Sequence, residues 1–245
     1  MDSVVGVAEE ALEVEVAAFV KHMARYKHGI GYLYMWLATV ALYAGWFALY
    51  STLSLFGGPL SPYAWLTWIP VVALMMASAT CAYSKLKLEE DPVLSATGPV
   101  RAKVFGACFS AAYSAATAAL LAAGAPPRLS RLIYSMAWMP ALASSWILVG
   151  LLAEGREVEE GYLPQRISLR MGLLTAASLA ASLAVATALH RDVMSDAWYW
   201  TFHGCMCFSL VLVTVLALVS FTSKVAGVEW LVRERGPSGR RGAGR

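Results

Sequence analysis

Apolar residues fall into six long blocks along this chain, at about 30–56, 63–83, 103–123, 131–152, 170–189 and 197–222. Each block reaches the roughly 20 mostly apolar residues that carry a helix across a hydrocarbon layer. Three of the breaks between them are short: "FGGPLSP" at 56–62, "GAPPR" at 124–128 and "HRDVMSDA" at 190–197. The other two are charged: "KLKLEEDP" after Ser84, and "EGREVEEGYLPQR" at 154–166. The pattern predicts an all-α polytopic membrane protein, with six transmembrane helices arranged as three antiparallel hairpins.

A different period precedes the first block. Val5, Ala8, Leu12, Val16, Phe19 and Met23 recur at helical spacing, the signature of an amphipathic helix. Glu9, Glu10, Glu13 and Glu15 crowd its first half, and Lys21, Arg25 and Lys27 its far end. An acidic opening is the reverse of the basic start of a signal peptide. It also disfavours lying flat on an anionic leaflet, so docking on a cytoplasmic surface of this chain or on a partner is expected. The chain divides into an amphipathic N-terminal helix (1–28), a transmembrane bundle (29–223) and a basic tail (224–245). The tail's Gly-rich end, "GPSGRRGAGR", is expected to be disordered and to recognise no specific nucleic acid.

Composition agrees with a lipid environment: 59% of residues are hydrophobic and 14% charged, against about 25% charged in an ordinary soluble domain. Lys and Arg then set the orientation. With both termini on one side of six spans, sixteen of the nineteen basic residues share that side and three (Arg128, Arg131, Arg191) lie on the other. Basic loops stay cytoplasmic, so the expectation is a multi-pass protein with both termini cytoplasmic.

The faces of the spans differ. Ser110, Ser114 and Ala118 in the third, and Ala176, Ala180 and Ala184 in the fifth, form small-residue rows that allow close helix approach. These rows predict that the third and fifth spans sit at the centre. The first, second and sixth are rich in aromatic residues and are expected at the periphery, with Tyr63, Trp65, Trp68, Trp198, Tyr199 and Trp200 as an interfacial belt. Pro70 and Pro140 are expected helix kinks. Each follows a Trp by two residues and precedes a Glu pair by nineteen, an echo at an offset of 70 residues. The flanking sequences do not align further.

Candidate chemistry is sparse. No Asp, Glu, Lys or Arg falls in the middle of a span, which counts against proton pumps and proton-coupled antiporters, because intramembrane charges mark such pathways. No nucleophile elbow, metalloprotease helix or phosphate-binding Gly loop is present. Lys224, at the end of the last span, is a poor retinal lysine. One stretch is rich in potential ligands: "HGCMCF", His203 to Phe208. At 100° per residue, Cys205 and Cys207 point to opposite sides of a helix, leaving His203, Met206 and Cys207 on one face. With His190 at the outer end of the preceding span, this set raises haem or copper ligation as a possibility. Three function classes follow: a non-catalytic subunit or scaffold of a membrane assembly, with a protein partner or self-association through the N-terminal helix; a channel or facilitator for a small neutral solute; and a haem- or quinone-binding redox anchor using His190 and His203. The first is the favoured expectation.

Overall fold

The computed structural model describes residues 91–234 continuously, with side chains through 223. Nearer the N-terminus it describes shorter runs between 12 and 84, the longest being 15–20 and 23–31. Most of the first two predicted spans lies outside the described residues, as do Tyr63, Trp65, Trp68 and the tail beyond 234. The regular structure described is helical throughout: α1 (Pro92–Ala122), α2 (Pro127–Leu152), α3 (Glu154–Glu159), α4 (Ile167–Leu189) and α5 (Asp196–Glu234). Four of these, α1, α2, α4 and α5, are long and apolar enough to cross a membrane. They coincide with the last four predicted spans, and the chain is an all-helical protein compatible with membrane embedding.

Each helix begins and ends for local reasons. Asp91 caps α1, its side chain accepting from the Val93 and Leu94 N–H groups at 2.9 and 3.2 Å, and Pro92 occupies the first turn, where its missing N–H costs nothing. At the other end Gly124 takes φ +57°. Its N–H donates to the Leu121 carbonyl and that of Ala125 to Leu120, which satisfies two carbonyls left over at the helix end. Ser195 caps α5, accepting from the Trp198 N–H at 3.2 Å. Pro140 sits in the interior of α2 and Pro99 in that of α1; Pro70 is helical and exposed.

Two boundaries move outward from the apolar blocks. α1 starts eleven residues before its block, at Pro92, and α5 continues past its own to Glu234. At about 1.5 Å per residue, both project well beyond a hydrocarbon layer ~30 Å thick. Residues 224–234, expected as tail, therefore continue the last helix.

Among the described helices the most buried is α2, rather than the third or fifth predicted span. In its apolar window 56% of residues are buried, against 11% for α1 and 22% for α4. α2 packs on α1 and on α4, and α4 packs on α5. Ser110, Ser114, Ala118, Ala176, Ala180 and Ala184 are all exposed. Glycine, rather than Ala or Ser, makes the closest helix contact: a Cβ on Gly150 would lie 2.3 Å from the Leu169 nitrogen, and one on Gly172 would lie 2.6 Å from the Ile147 nitrogen. Of the aromatic residues expected at the periphery, Trp198 and Tyr199 instead lie in the core. Trp46, Tyr50, Trp198, Tyr199, Phe202 and Phe221 are buried with Trp138, Met139 and Met171 in one cluster. Large rings fill the gaps between α2, α5 and the first-span residues, while the slim faces of α1 and α4 turn out.

Close packing at Gly150 predicts that Gly150→Ala destabilises the protein by about 1–3 kcal/mol, the usual cost of overpacking. Gly106→Ala is the control, since nothing lies within 4 Å of its added Cβ, and it leaves stability unchanged or raised. Thermal unfolding of both variants in the same detergent checks the contrast.

Candidate functional site

Two constellations stand out, at opposite ends of the bundle. The first is built on α3, the helical turn between α2 and α4. Glu157 is fully buried, and two other segments, the N-terminal helix and α1, supply its partners. His28 Nε2 lies 3.1 Å from its Oε2. Arg101 Nη2 lies 2.6 Å from Oε1 and 2.5 Å from Oε2. The Thr97 hydroxyl donates to Oε1. Thr97 and Arg101 are four apart on α1 and so share a face, and Arg101 Nη1 also donates to Thr97 Oγ1 at 3.2 Å. Burial alone would raise the Glu157 pKa; the His28 hydrogen bond and the Arg101 charge outweigh it and hold the carboxyl at about 2.

Glu154, one turn earlier and also fully buried, caps α4. Its carboxylate accepts from the Ser168 N–H at 2.8 Å and the Ser168 hydroxyl at 2.6 Å, in place of Arg166, whose side chain makes no capping bond. Here burial dominates and pushes the pKa up, against the opposing Ser168 bonds and the Arg101 charge. The N-terminal helix is held a second time where Arg25 Nη2 donates to the Glu160 carbonyl at 2.9 Å. Next to that contact Gly161 takes φ +76°, and a Cβ there would meet the Arg25 guanidinium at 2.7 Å. Tyr162 donates to Asp91 at 2.8 Å. Its hydroxyl is pushed up to about 12, by burial first and then by that bond and the Asp91 charge. The cluster is a clasp joining the N-terminal helix, α1, α3 and α4, with its carboxylates shielded from solvent.

The second constellation is an aromatic cavity lined by Trp46, Tyr50, Tyr113, Ser135, Trp138, Tyr199 and His203. Tyr50 and Tyr199 hydrogen-bond through their hydroxyls. The Tyr199 and His203 rings stack with centroids 4.0 Å apart. About 20 Å³ is open to the centre of a water-sized guest, enough for a water and far below a typical ligand pocket of ~300–1,000 Å³. A smaller cleft beside Arg128, Asp196 and Met194 shares Tyr199 with it, and Arg128 pairs with Asp196 at 3.0 Å across its mouth.

The ligand-rich stretch is resolved by these contacts. His203 is buried, with Nδ1 3.2 Å from the carbonyl of Tyr199. His190 Nε2 bonds Thr201 Oγ1 at 2.8 Å. Thr201 and His203 are two residues apart on α5, so their faces differ by 200°. Met206 and Cys207 are buried in the packing of α5. No group of three His, Cys, Asp or Glu able to hold a metal ion occurs among the described residues. Sequence reasoning missed the clasp, because it read 154–166 as a charged loop. Its signal was the Glu154/Glu157 spacing of one helical turn, flanked by Ala153, Val158, Tyr162 and Leu163.

Glu154 makes the clasp sensitive to pH. Because its folded pKa lies above the ordinary value of 4.5, its contribution to stability is full below that value and is lost as pH rises through the raised one. Glu154→Gln removes this dependence, so the variant's stability relative to the parent improves as pH rises from 4 to 8. Unfolding curves of the two proteins across that range check the sign. Against known proteins, no family model, no curated protein and no solved structure matches this chain.

Proposed function

We propose that this chain is a multi-pass, non-catalytic subunit or scaffold of a membrane assembly, with both termini cytoplasmic and lateral contacts through α1 and α4. One observation carries the reading. The small-residue faces of these helices, Ser110, Ser114, Ala118, Ala176, Ala180 and Ala184, all lie exposed. Helices in lipid associate by close van der Waals approach at such faces, and here no helix of the described bundle uses them. The clasp also favours this reading: Thr97 and Glu157 are buried and bonded to each other, and Glu154 is buried and bonded to Ser168, as structural groups are, rather than presented to a substrate. Redox ligation by His190 and His203 receives no support from their separate contacts.

A second reading, a facilitator for a water-sized neutral solute, draws on the two cavities that meet at Tyr199. Water or glycerol flux into liposomes carrying the purified protein alone, at a rate above that of empty liposomes and reduced by Tyr199→Trp, would support it. For the favoured reading, Ser114→Leu combined with Ala180→Leu weakens association in the bilayer at least tenfold while leaving thermal stability unchanged, because both side chains point away from the fold. Single-molecule photobleaching and co-purification from native membranes measure this. Unaltered association in both assays would sink the lateral-contact proposal.

A further inference from the structure

The N-terminal helix is attached the wrong way round for a helix that merely packs on its own protein. Its polar residues Arg25 and His28 face the body and bind α3. Its apolar row does not: Leu12, Val16, Phe19 and Val20 are 59, 53, 45 and 60% exposed. A row of four large apolar side chains at one-turn spacing is the pattern of helix-to-helix or helix-in-groove docking. The clasp therefore fixes the helix by one face and presents the other.

Charge decides among the occupants. Glu13 and Lys27 are both exposed and border the apolar row at opposite ends. An anionic lipid surface would repel the acidic half, whereas a helix of opposite polarity would pair with both halves at once. A second copy of the same helix, run antiparallel, has that polarity. With the twofold axis at position 18, Val16 of one copy packs against Val20 of the other. Each Lys27 then falls one turn from Glu13 of the opposite copy. Such an arrangement is isologous, with the same patch used twice and closed at two copies.

We infer that the apolar face of the N-terminal helix, centred on Val16 and Val20, is a homodimer interface that pairs two copies of this chain antiparallel outside the bilayer. The inference rests on the reading of the chain as an assembly subunit and names one of its partners. It uses a surface separate from the faces of α1 and α4, so the two can fail independently.

Cysteine cross-linking of the full chain tests it. In a background with Cys81, Cys108, Cys205 and Cys207 replaced, Val16→Cys and Val20→Cys variants are mixed in liposomes and oxidised. The expected product is the mixed 16–20 dimer, at least fivefold over the 16–16 and 20–20 products. Val16→Glu with Val20→Glu abolishes it and leaves the melting temperature in place, since both positions are exposed. Predominance of 16–16 dimers means parallel pairing and overturns the register. Quenching of a fluorophore at Val16→Cys by brominated lipid means that the face lies on the bilayer and overturns the inference outright. Loss of helix pairing with persistent association through Ser114 and Ala180 rejects this inference alone; a chain that stays single in both assays rejects it together with the subunit reading.

Discussion

Everything at one end of this protein follows from the burial of Glu157. A carboxylate taken fully out of water costs several kcal/mol unless it is paired and hydrogen-bonded. Glu157 meets that condition with a guanidinium, an imidazole and a hydroxyl, drawn from two segments distant in sequence. The requirement explains why α1 is so long. Its first eleven residues lie outside the apolar block, yet they must continue as helix for Thr97 and Arg101 to reach the carboxylate together. It also explains why the chain near His28 is ordered against α3, since that imidazole completes the set. Glu154 adds the start of α4 to the same knot. Three helices and a turn are thus registered at one point by groups that lipid could not solvate.

The rest of the bundle is held by different means. Away from the clasp the contacts are apolar or aromatic, and the fit between α2 and α4 depends on the absence of side chains at Gly150 and Gly172. This combination leaves α2 buried on several sides and α1 and α4 with slim outer faces. An aromatic core formed by Trp46, Trp138, Tyr199 and Phe202 leaves room for a water and little else. A bundle so filled is suited to rigidity, and its outward surfaces are where variation in binding can reside.

How much of this was legible in the residues varied with the physics involved. Four of the spans could be read from apolar runs alone, because in lipid backbone bonds must close within a helix. Their boundaries at Pro92 and Glu234 could not, because polar contacts, not hydropathy, extend α1, and Lys224, Glu229, Arg233 and Glu234 break up the apolar run in the extension of α5. The rows at Ser110 and Ala176 were correctly seen as slim faces, but periodicity does not say whether a slim face turns inward or outward. The glycines that do pack, Gly150 and Gly172, sit near the helix ends nearest the clasp, where they resemble ordinary termini. The charged break at 154–166 was the least legible. Glu154 and Glu157 become core groups through Arg101 and His28, residues 56 and 129 positions away from Glu157, and local pattern carries no trace of such partners. For "HGCMCF", helical geometry alone separated Cys205 from Cys207, but the partner of His190, Thr201, could not be read from the sequence.

The clasp and the exposed helix face are two aspects of one arrangement. An amphipathic helix free at both ends would lose rotational and translational freedom on docking, and that loss is a principal cost of association. Here Arg25 and His28 have already fixed the far end of the helix against the α3 turn. The ordering is supplied during folding, by the need to neutralise Glu157, and so does not recur at each encounter. Gly161 contributes to the same end, because its missing Cβ is what lets the Arg25 guanidinium sit against the α3 turn. Buried charge inside the protein and apolar surface outside it are therefore coupled through a single helix, and weakening the clasp weakens the presentation of the face without touching it.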